Sequence, residues 1–174
     1  MTVKCLLDID GVIIWNNQLT SRNQFNKRNK DGKYIKVSPV NDNGYTVNMY
    51  FDKEHVLNTI QTIKDHIDNI YWFSSWGIEA HKLTDVLGLE AFPVPDEVKL
   101  FCDTYEWKWL GAKRFIENNP NDKIIWIDDF QYGIDLQRDY VKSVYDEPNI
   151  HFLKINEDEG FSEKDLIILK EWIK

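Results

Sequence analysis

The chain has 174 residues, which suits one domain with a full hydrophobic core and is too short for two domains of ordinary size. Its 43% apolar content argues against disorder, and no apolar run is long enough to cross a bilayer. A net charge of −8 would repel nucleic acid if it were evenly spread. We expect a single domain, 1–174, with no membrane association. The amino terminus leaves no room for a signal peptide before the first strand, so a cytoplasmic location is expected.

The charge is unevenly distributed. Between Gly11 and Asn41, six basic residues and one acidic residue give a local charge of +5, so the rest of the chain is strongly acidic. These charged residues are Arg22, Lys27, Arg28, Lys30, Asp31, Lys33 and Lys36. Such a basic segment is typical either of an anion-binding surface or of a solvated loop whose lysines aid solubility.

The first third of the chain predicts a buried strand, an insertion and a helix. The apolar run Val3 to Leu7 indicates a strand buried on both faces, and the polar stretch Trp15 to Lys33 indicates a loop. Alternating apolar and polar residues predict a β-hairpin from Tyr34 to Val37 and Tyr45 to Phe51. Asp52 is the predicted N-cap of a helix with apolar residues at helical spacing, namely Val56, Ile60, Ile63 and Ile67.

The remainder alternates short apolar strands with helices. The predicted strands are Ile70 to Phe73, Lys123 to Ile127 and His151 to Ile155. The predicted helices are Ile78 to Leu87, Trp109 to Asn118 and Glu163 to Trp172, and Pro93 and Pro95 mark a loop. This alternation predicts an α/β fold with a doubly wound parallel sheet. Residues 14–51 form a small basic, cap-like hairpin and loop insertion after the first strand.

Polar residues follow three of the predicted strands. They are Asp8 and Asp10, Ser74 and Ser75, and Asp128 and Asp129. Each pair alone has an ordinary structural explanation as a turn or a helix cap. Ligands of open α/β sheets bind beyond the carboxyl ends of the strands, so three such pairs together indicate a functional site. Carboxylates held close together in a buried site are costly unless a cation compensates them, which favours a metal.

These residues resemble the motifs of the haloacid dehalogenase (HAD) superfamily. Its first motif, Asp-x-Asp-Gly after a strand, is matched by Asp8-Ile9-Asp10-Gly11, and its fourth, a pair of acids closing another strand, by Asp128-Asp129. The second, a Ser or Thr ending a strand, is matched by Ser74, and the third is a Lys at the start of a helix. Lys108, which opens a predicted helix, is favoured for it over Lys113 in the middle of that helix. The resemblance implies a HAD-like, Rossmannoid fold.

The resemblance also implies a role for each motif residue. Asp8 would be the nucleophile that forms an aspartyl-phosphate, and Asp10 would be the general acid and then the general base. Mg²⁺ would be held by Asp8, the backbone carbonyl of Asp10, Asp128 and Asp129. Ser74, the amide that follows it at Ser75, and Lys108 would bind the phosphate. An acid two residues after the nucleophile favours a phosphatase over a dehalogenase.

Within the superfamily, the tryptophans around the motifs resemble the HAD domain of multifunctional RNA-repair proteins. Members of that group show similar Trp-x-Thr-x-Trp-Gly and Trp-x-Asp-Asp segments and a Trp-Lys pair. The counterparts here are Trp72 to Gly77, Trp126 to Asp129 and Trp107-Lys108, with Ser74 in place of Thr.

The basic insertion is the main indication of the substrate. Arg22, Lys27 and Arg28 are candidate contacts to the phosphates of a nucleotide or a nucleic-acid end. Trp15 is a candidate for stacking on a base, although such residues more often anchor a core. The function expected first is therefore a phosphatase of nucleotide or nucleic-acid terminal phosphates. A phosphatase of a small phosphorylated metabolite comes second, and a non-catalytic module that binds a phosphorylated ligand or a protein comes third. The sequence does not indicate the oligomeric state.

Overall fold

The computed structural model of the chain describes residues 2–14, 33–40, 46, 48–101, 107–129, 144 and 146–174. Six strands are found there: β1 (Val3–Leu7), β2 (Tyr34–Val37), β3 (Met49–Asp52), β4 (Asn69–Trp72), β5 (Lys123–Asp128) and β6 (Ile150–Lys154). The α-helices in the same ranges are α1 (Lys53–Lys64), α2 (His81–Leu87), α3 (Asp96–Phe101), α4 (Trp107–Asn118) and α5 (Glu163–Ile173). The order of elements confirms the predicted α/β class.

The central sheet is parallel and has the strand order β4-β1-β5-β6. β1 therefore lies between β4 and β5, which are the next two strands of this sheet along the chain. Strand order reverses between β1 and β5, which is the switch point where doubly wound sheets bind ligands. The register pairs Leu7 with Trp72 on one side and with Ile127 on the other, so the three strands end side by side.

Both faces of the sheet are covered by apolar side chains. Because successive side chains of a strand point to opposite faces, Leu6 and Leu7 of β1 belong to different core clusters, as do Trp126 and Ile127 of β5. The cluster around Leu7 includes residues of α1, α2 and α5, whereas the cluster around Leu6 includes residues of α4. This arrangement confirms that the sheet is doubly wound and explains why its strands read as continuous apolar runs.

The insertion after β1 contains the antiparallel hairpin β2-β3, in which Tyr34 pairs with Asp52. The second strand begins at Met49 rather than at Tyr45, although a bridge between Val40 and Thr46 extends the pairing toward the turn. Val40 donates its backbone N–H to Glu79 (3.2 Å), in the segment that follows Ser74 and Ser75. The hairpin is thus attached directly beside one of the motif loops.

The helices differ from the sequence prediction in three main respects. The helix predicted from Ile78 to Leu87 is a 3₁₀ turn, Gly77–Ala80, followed by α2, which ends at the predicted Leu87 and is capped by Gly88. Ile67 lies beyond α1 but is still buried, because its N–H donates to the Ile63 carbonyl (3.0 Å) and keeps it on the same face. The prediction missed α3, a six-residue helix in the segment interpreted as a loop because of its two prolines.

The ends of the other predicted helices agree with the sequence prediction to within about three residues. Asp52 caps α1 by accepting the N–H groups of Glu54 (3.1 Å) and His55 (3.3 Å). Asp165 accepts the backbone N–H of Ser162 (2.8 Å) at the start of α5, which is one of the two hydrogen bonds of a capping box. α4 begins two residues earlier than predicted. Over the described ranges, no helix is both long and apolar enough to traverse a membrane.

Candidate active site

The first motif forms a tight turn at the carboxyl end of β1. The N–H of Asp8 donates to the Ile127 carbonyl (3.0 Å), which continues the β1–β5 pairing, and the N–H of Ile9 donates to Oδ1 of Asp8 (2.8 Å). The chain then reverses at Gly11, whose φ of 72° is a conformation that favours glycine. The turn leaves the Asp8 side chain buried, with 4% of its surface exposed.

The fourth motif ends the neighbouring strand. Asp128 is the last residue of β5, and its carbonyl accepts the N–H of Ile155 (2.9 Å) just beyond β6. Asp129 follows immediately, and both carboxylates are buried. The register of β1 and β5 therefore brings two acids of one strand end beside the nucleophile candidate Asp8 of the other.

Asp8, Asp128 and Asp129 form one acidic group. Carboxylate oxygens from the three residues lie within 4.8 Å of one another. Hard carboxylate oxygens are the donors that Mg²⁺ prefers. Burial, followed by the charges of Asp128 and Asp10, raises the pKa of Asp8 to about 8 against the opposing influence of Lys108. Further positive charge is needed to keep Asp8 ionised at neutral pH, so the three carboxylates together fit a divalent cation.

Lys108, in the first turn of α4, connects the two motifs. Its Nζ donates to Oδ2 of Asp8 (2.6 Å) and to Oδ2 of Asp128 (2.7 Å). Burial works to lower the Lys108 pKa, but the charges of Asp128 and Asp8 outweigh it, so the pKa is raised and the side chain stays cationic. No other lysine of the described ranges makes an ion pair with these two acids. Lys113 is five residues further along the helix and so points in a different direction.

Asp10 has a distinct environment. Its Oδ2 accepts a hydrogen bond from the indole N–H of Trp76 (2.8 Å), and its Oδ1 is buried without a hydrogen-bond partner among the described residues. Burial raises the pKa of Asp10, whereas the bond from Trp76 and the charge of Lys108 lower it to a smaller extent. A carboxyl group with a raised pKa suits proton transfer near neutral pH.

Ser74 lies at the end of β4 and is buried, with 1% of its surface exposed. Its Oγ is 3.4 Å from the backbone N of Trp76, from which it accepts a long hydrogen bond, and its carbonyl accepts the N–H of Gly77 (2.9 Å). Because the hydroxyl oxygen acts as the acceptor, its proton remains available for a phosphate oxygen. Ser75 is exposed beside it.

Two contacts of the site were missed by the sequence analysis. The indole N–H of Trp126 donates to Oδ2 of Asp128 (3.0 Å), and that of Trp76 donates to Asp10. Trp126 precedes Asp128 by two residues on one strand, so the alternation of side chains could have revealed the first contact. Trp76 and Asp10 are 66 residues apart, and no local pattern connects them.

The structure brings six of the predicted site residues together, whereas four others lie outside the residues that it describes. Asp8, Lys108 and Asp128 are in direct contact, Asp129 completes the acidic group, and Asp10 and Ser74 are linked through Trp76. The acidic group is formed without the Asp10 carboxylate, and a metal contact from the Asp10 carbonyl stays a prediction. Trp15, Arg22, Lys27 and Arg28 lie outside the described residues, as does most of the basic segment.

Comparison with known proteins identifies the family. The family model described as the HAD domain in Swiss Army Knife RNA repair proteins matches residues 5–166, nearly the whole chain. We found no significant match to the chain among curated proteins or among solved structures. The family match supports a HAD-type phosphatase or a related function, and it spans all four motifs. The chain therefore belongs to the HAD superfamily, in the family of HAD domains found in Swiss Army Knife RNA repair proteins.

Proposed function

We propose that this chain is a Mg²⁺-dependent phosphatase that hydrolyses a phosphate monoester through an aspartyl-phosphate on Asp8. The observation that carries the proposal is the position of Lys108, whose Nζ contacts both Asp8 and Asp128 inside the buried acidic group. Two adjacent acidic residues without a lysine partner would be explained as a helix cap or a turn. A lysine bridging two strand ends at the switch point instead concentrates charge where a ligand would bind.

In the first step, an oxygen of the Asp8 carboxylate attacks phosphorus, and the bond from phosphorus to the ester oxygen breaks. Asp10 donates its proton to the departing oxygen, which leaves as an alcohol. Ser74 donates its hydroxyl proton in a hydrogen bond to a phosphate oxygen, and Lys108 offsets part of the negative charge. Ser75 would add its backbone N–H to that contact.

In the second step, water attacks phosphorus of the aspartyl-phosphate while the Asp10 carboxylate takes a proton from it. The bond from phosphorus to the Asp8 oxygen breaks, which releases inorganic phosphate and restores the Asp8 carboxylate. The environment of Asp10 supports both roles, because its carboxyl group is buried and its Oδ1 has no other hydrogen-bond partner in the described part of the chain.

Two anionic groups, the phosphate and Asp8, must approach each other in this reaction. Mg²⁺ bound by Asp8, the Asp10 carbonyl, Asp128 and Asp129 would supply the positive charge that permits this approach. Trp126 supports this assignment, because its N–H occupies one side of the Asp128 carboxylate and fixes its orientation.

The substrate class that we propose is a nucleotide or a nucleic-acid terminal phosphate. The RNA-repair context of the family supports it. The basic segment supports it as well, since the insertion starts at the first motif and its hairpin is attached to Glu79 beside the second. Arg22, Lys27 and Arg28 would contact phosphates, and Trp15 would stack on a base. A small phosphorylated metabolite is the second candidate, because the chemistry at Asp8 is the same for any monoester.

A panel of substrates tests both the proposed reaction and the proposed substrate class. Nucleoside monophosphates, phosphorylated oligonucleotides and sugar phosphates are compared at two salt concentrations, with Mg²⁺ and with chelator. We expect Mg²⁺-dependent release of phosphate, fastest from the oligonucleotide at low salt and reduced at high salt. Equal rates on sugar phosphates would favour the metabolite. Binding without hydrolysis anywhere in the panel would favour a non-catalytic module.

A further inference from the structure

Trp76 is the residue that joins the second motif to the first. Its backbone N–H donates to Oγ of Ser74 and its indole N–H donates to Oδ2 of Asp10 (2.8 Å). The ring itself is 7% exposed and packs in the core cluster that contains Leu7. Because the ring is buried and its indole N–H is hydrogen-bonded, its orientation and the direction of that N–H are constrained.

The contact distinguishes the two oxygens of Asp10. Oδ2 is engaged by the indole, whereas Oδ1 is buried and has no hydrogen-bond partner in the described part of the chain. An aspartate side chain turns about its terminal bond with little preference, so without the indole the two oxygens would exchange positions readily. The indole N–H can only donate a hydrogen bond, so Oδ2 of Asp10 must act as the acceptor in this contact. Protonation of Asp10 is thereby favoured at Oδ1 over Oδ2.

We propose that Trp76 is a positioning residue for proton transfer, whose indole N–H holds Oδ2 of Asp10 so that Oδ1 carries the proton to the leaving oxygen. This inference rests on the proposed phosphatase function and adds to it a residue that does not touch the substrate. In the step concerned, the proton on Oδ1 passes to the ester oxygen as its bond to phosphorus breaks, and Asp10 becomes the carboxylate.

The test depends on the leaving group. An alkyl phosphate has a strongly basic leaving oxygen and needs the proton, whereas dinitrophenyl phosphate has a weakly basic one and does not. The quantity compared is kcat/KM, which reports events up to formation of the aspartyl-phosphate and so excludes the later role of Asp10. Trp76→Phe keeps an aromatic ring and removes the N–H.

We expect Trp76→Phe to lower kcat/KM for the alkyl phosphate by about tenfold or more, a part of the roughly 10²–10⁴-fold that general acid catalysis contributes. The value for dinitrophenyl phosphate should change by less than about threefold, because that reaction needs no proton. Trp72→Phe is the matched control. Trp72 is also a buried tryptophan of the same segment, and its indole N has no hydrogen-bond partner among the described residues. It should therefore lower both values equally or leave both unchanged.

A double-mutant cycle assigns the effect to Asp10. When Asp10→Ala has already removed the proton donor, adding Trp76→Phe should cause no further loss with the alkyl phosphate. A loss that is equal for the two substrates, or that persists in the Asp10→Ala background, would show that Trp76 only maintains the fold and would overturn the inference.

An NMR measurement keeps the inference testable without turnover. The indole N–H resonance of Trp76, assigned from its absence in Trp76→Phe, should shift when Asp10→Ala removes its acceptor, and that of Trp72 should not. An unchanged Trp76 resonance would overturn the contact itself. If the wild-type protein hydrolysed neither substrate, the proposed phosphatase function would be contradicted, and with it the positioning role of Trp76 in catalysis. The NMR result would still decide whether Trp76 and Asp10 are hydrogen-bonded.

Discussion

A Cβ atom at Gly11 would lie 2.0 Å from Oδ2 of Asp129, far closer than two atoms can approach without a shift. The last acid of the fourth motif therefore occupies the space beside the glycine of the first. Gly11→Ala should displace the Asp129 carboxylate and weaken Mg²⁺ binding by about tenfold or more. The strained φ of 72° should also destabilise the fold by about 1–2 kcal/mol. Calorimetric titration of Mg²⁺ and urea denaturation measure the two effects separately.

Gly88→Ala is the control for Gly11→Ala. Gly88 has a similar φ of 73°, but a Cβ there would meet nothing within 4 Å. It should lose a comparable amount of stability and keep full Mg²⁺ affinity. If both variants bound Mg²⁺ equally well, Asp129 would not be constrained by the close approach at Gly11.

Lys108→Gln should lower kcat/KM for an aryl phosphate by roughly 10²-fold or more, because it removes a preorganised positive charge from the site. The variant should also be less stable, because Asp8 and Asp128 lose their shared ion-pair partner. Lys113→Gln, on the same helix, should change neither quantity appreciably. A larger loss of activity from Lys113→Gln would instead assign the third-motif role to Lys113.

Mg²⁺ should stabilise the folded protein. A ligand that binds only the folded state at 100 times its Kd adds about 2.7 kcal/mol, so the Tm should rise with Mg²⁺ concentration. Asp128→Asn should abolish this rise while leaving a folded protein. An unchanged response to Mg²⁺ in Asp128→Asn would place the cation elsewhere. This thermal measurement requires no substrate and is independent of turnover.

Asp52 should make the stability depend on pH. Burial opposes ionisation, but the hydrogen bonds from Lys33 and from the backbone N–H of His55 outweigh it and lower the pKa of Asp52. Because the folded-state pKa lies below the unfolded value of 3.8, the unfolded state binds more protons in this range. The contribution is thus present above about pH 4 and is lost as the pH falls through the folded value.

Asp52→Ala should therefore cost about 1 kcal/mol at neutral pH through loss of the helix cap. Asp52→Asn keeps a capping oxygen and should cost less. The gap between wild type and Asp52→Ala, measured by urea denaturation, should narrow below pH 4. A gap that stayed constant down to pH 2 would mean that the ionised form has no special role.

Much of the fold was predictable because its signals are local. Buried parallel strands such as β1 and β5 read as apolar runs, and Asp52 and Gly88 mark helix ends by their capping chemistry. α3 was missed because Pro93 and Pro95 suggested a loop, although its helix begins directly after the second proline at Asp96. Proline is compatible with the start of a helix, where its missing N–H has no partner to lose.

The candidate site was predictable as far as strand ends and motifs determine it. Asp8 and Asp128 were expected at one site because each stands at the carboxyl end of a predicted parallel strand and matches a motif of the superfamily, and the register of β1 and β5 brings them together. The contacts that refine the site join segments distant in the sequence, as Trp76 with Asp10 and Gly11 with Asp129 do. Such contacts depend on how loops pack, which hydrophobic periodicity does not encode. They emerge only from the three-dimensional structure.

The nucleophilic role of Asp8 is tested most directly by trapping the covalent intermediate. Wild-type protein with Mg²⁺ is mixed with excess aryl phosphate, quenched in acid within a single turnover, and analysed by intact mass and peptide mapping. We predict the added mass of one phosphoryl group on Asp8, which is absent with chelator and absent in Asp8→Asn. Asp8→Asn protein that still hydrolyses the substrate at the wild-type rate, or a phosphoryl group on another residue, would contradict the proposed chemistry.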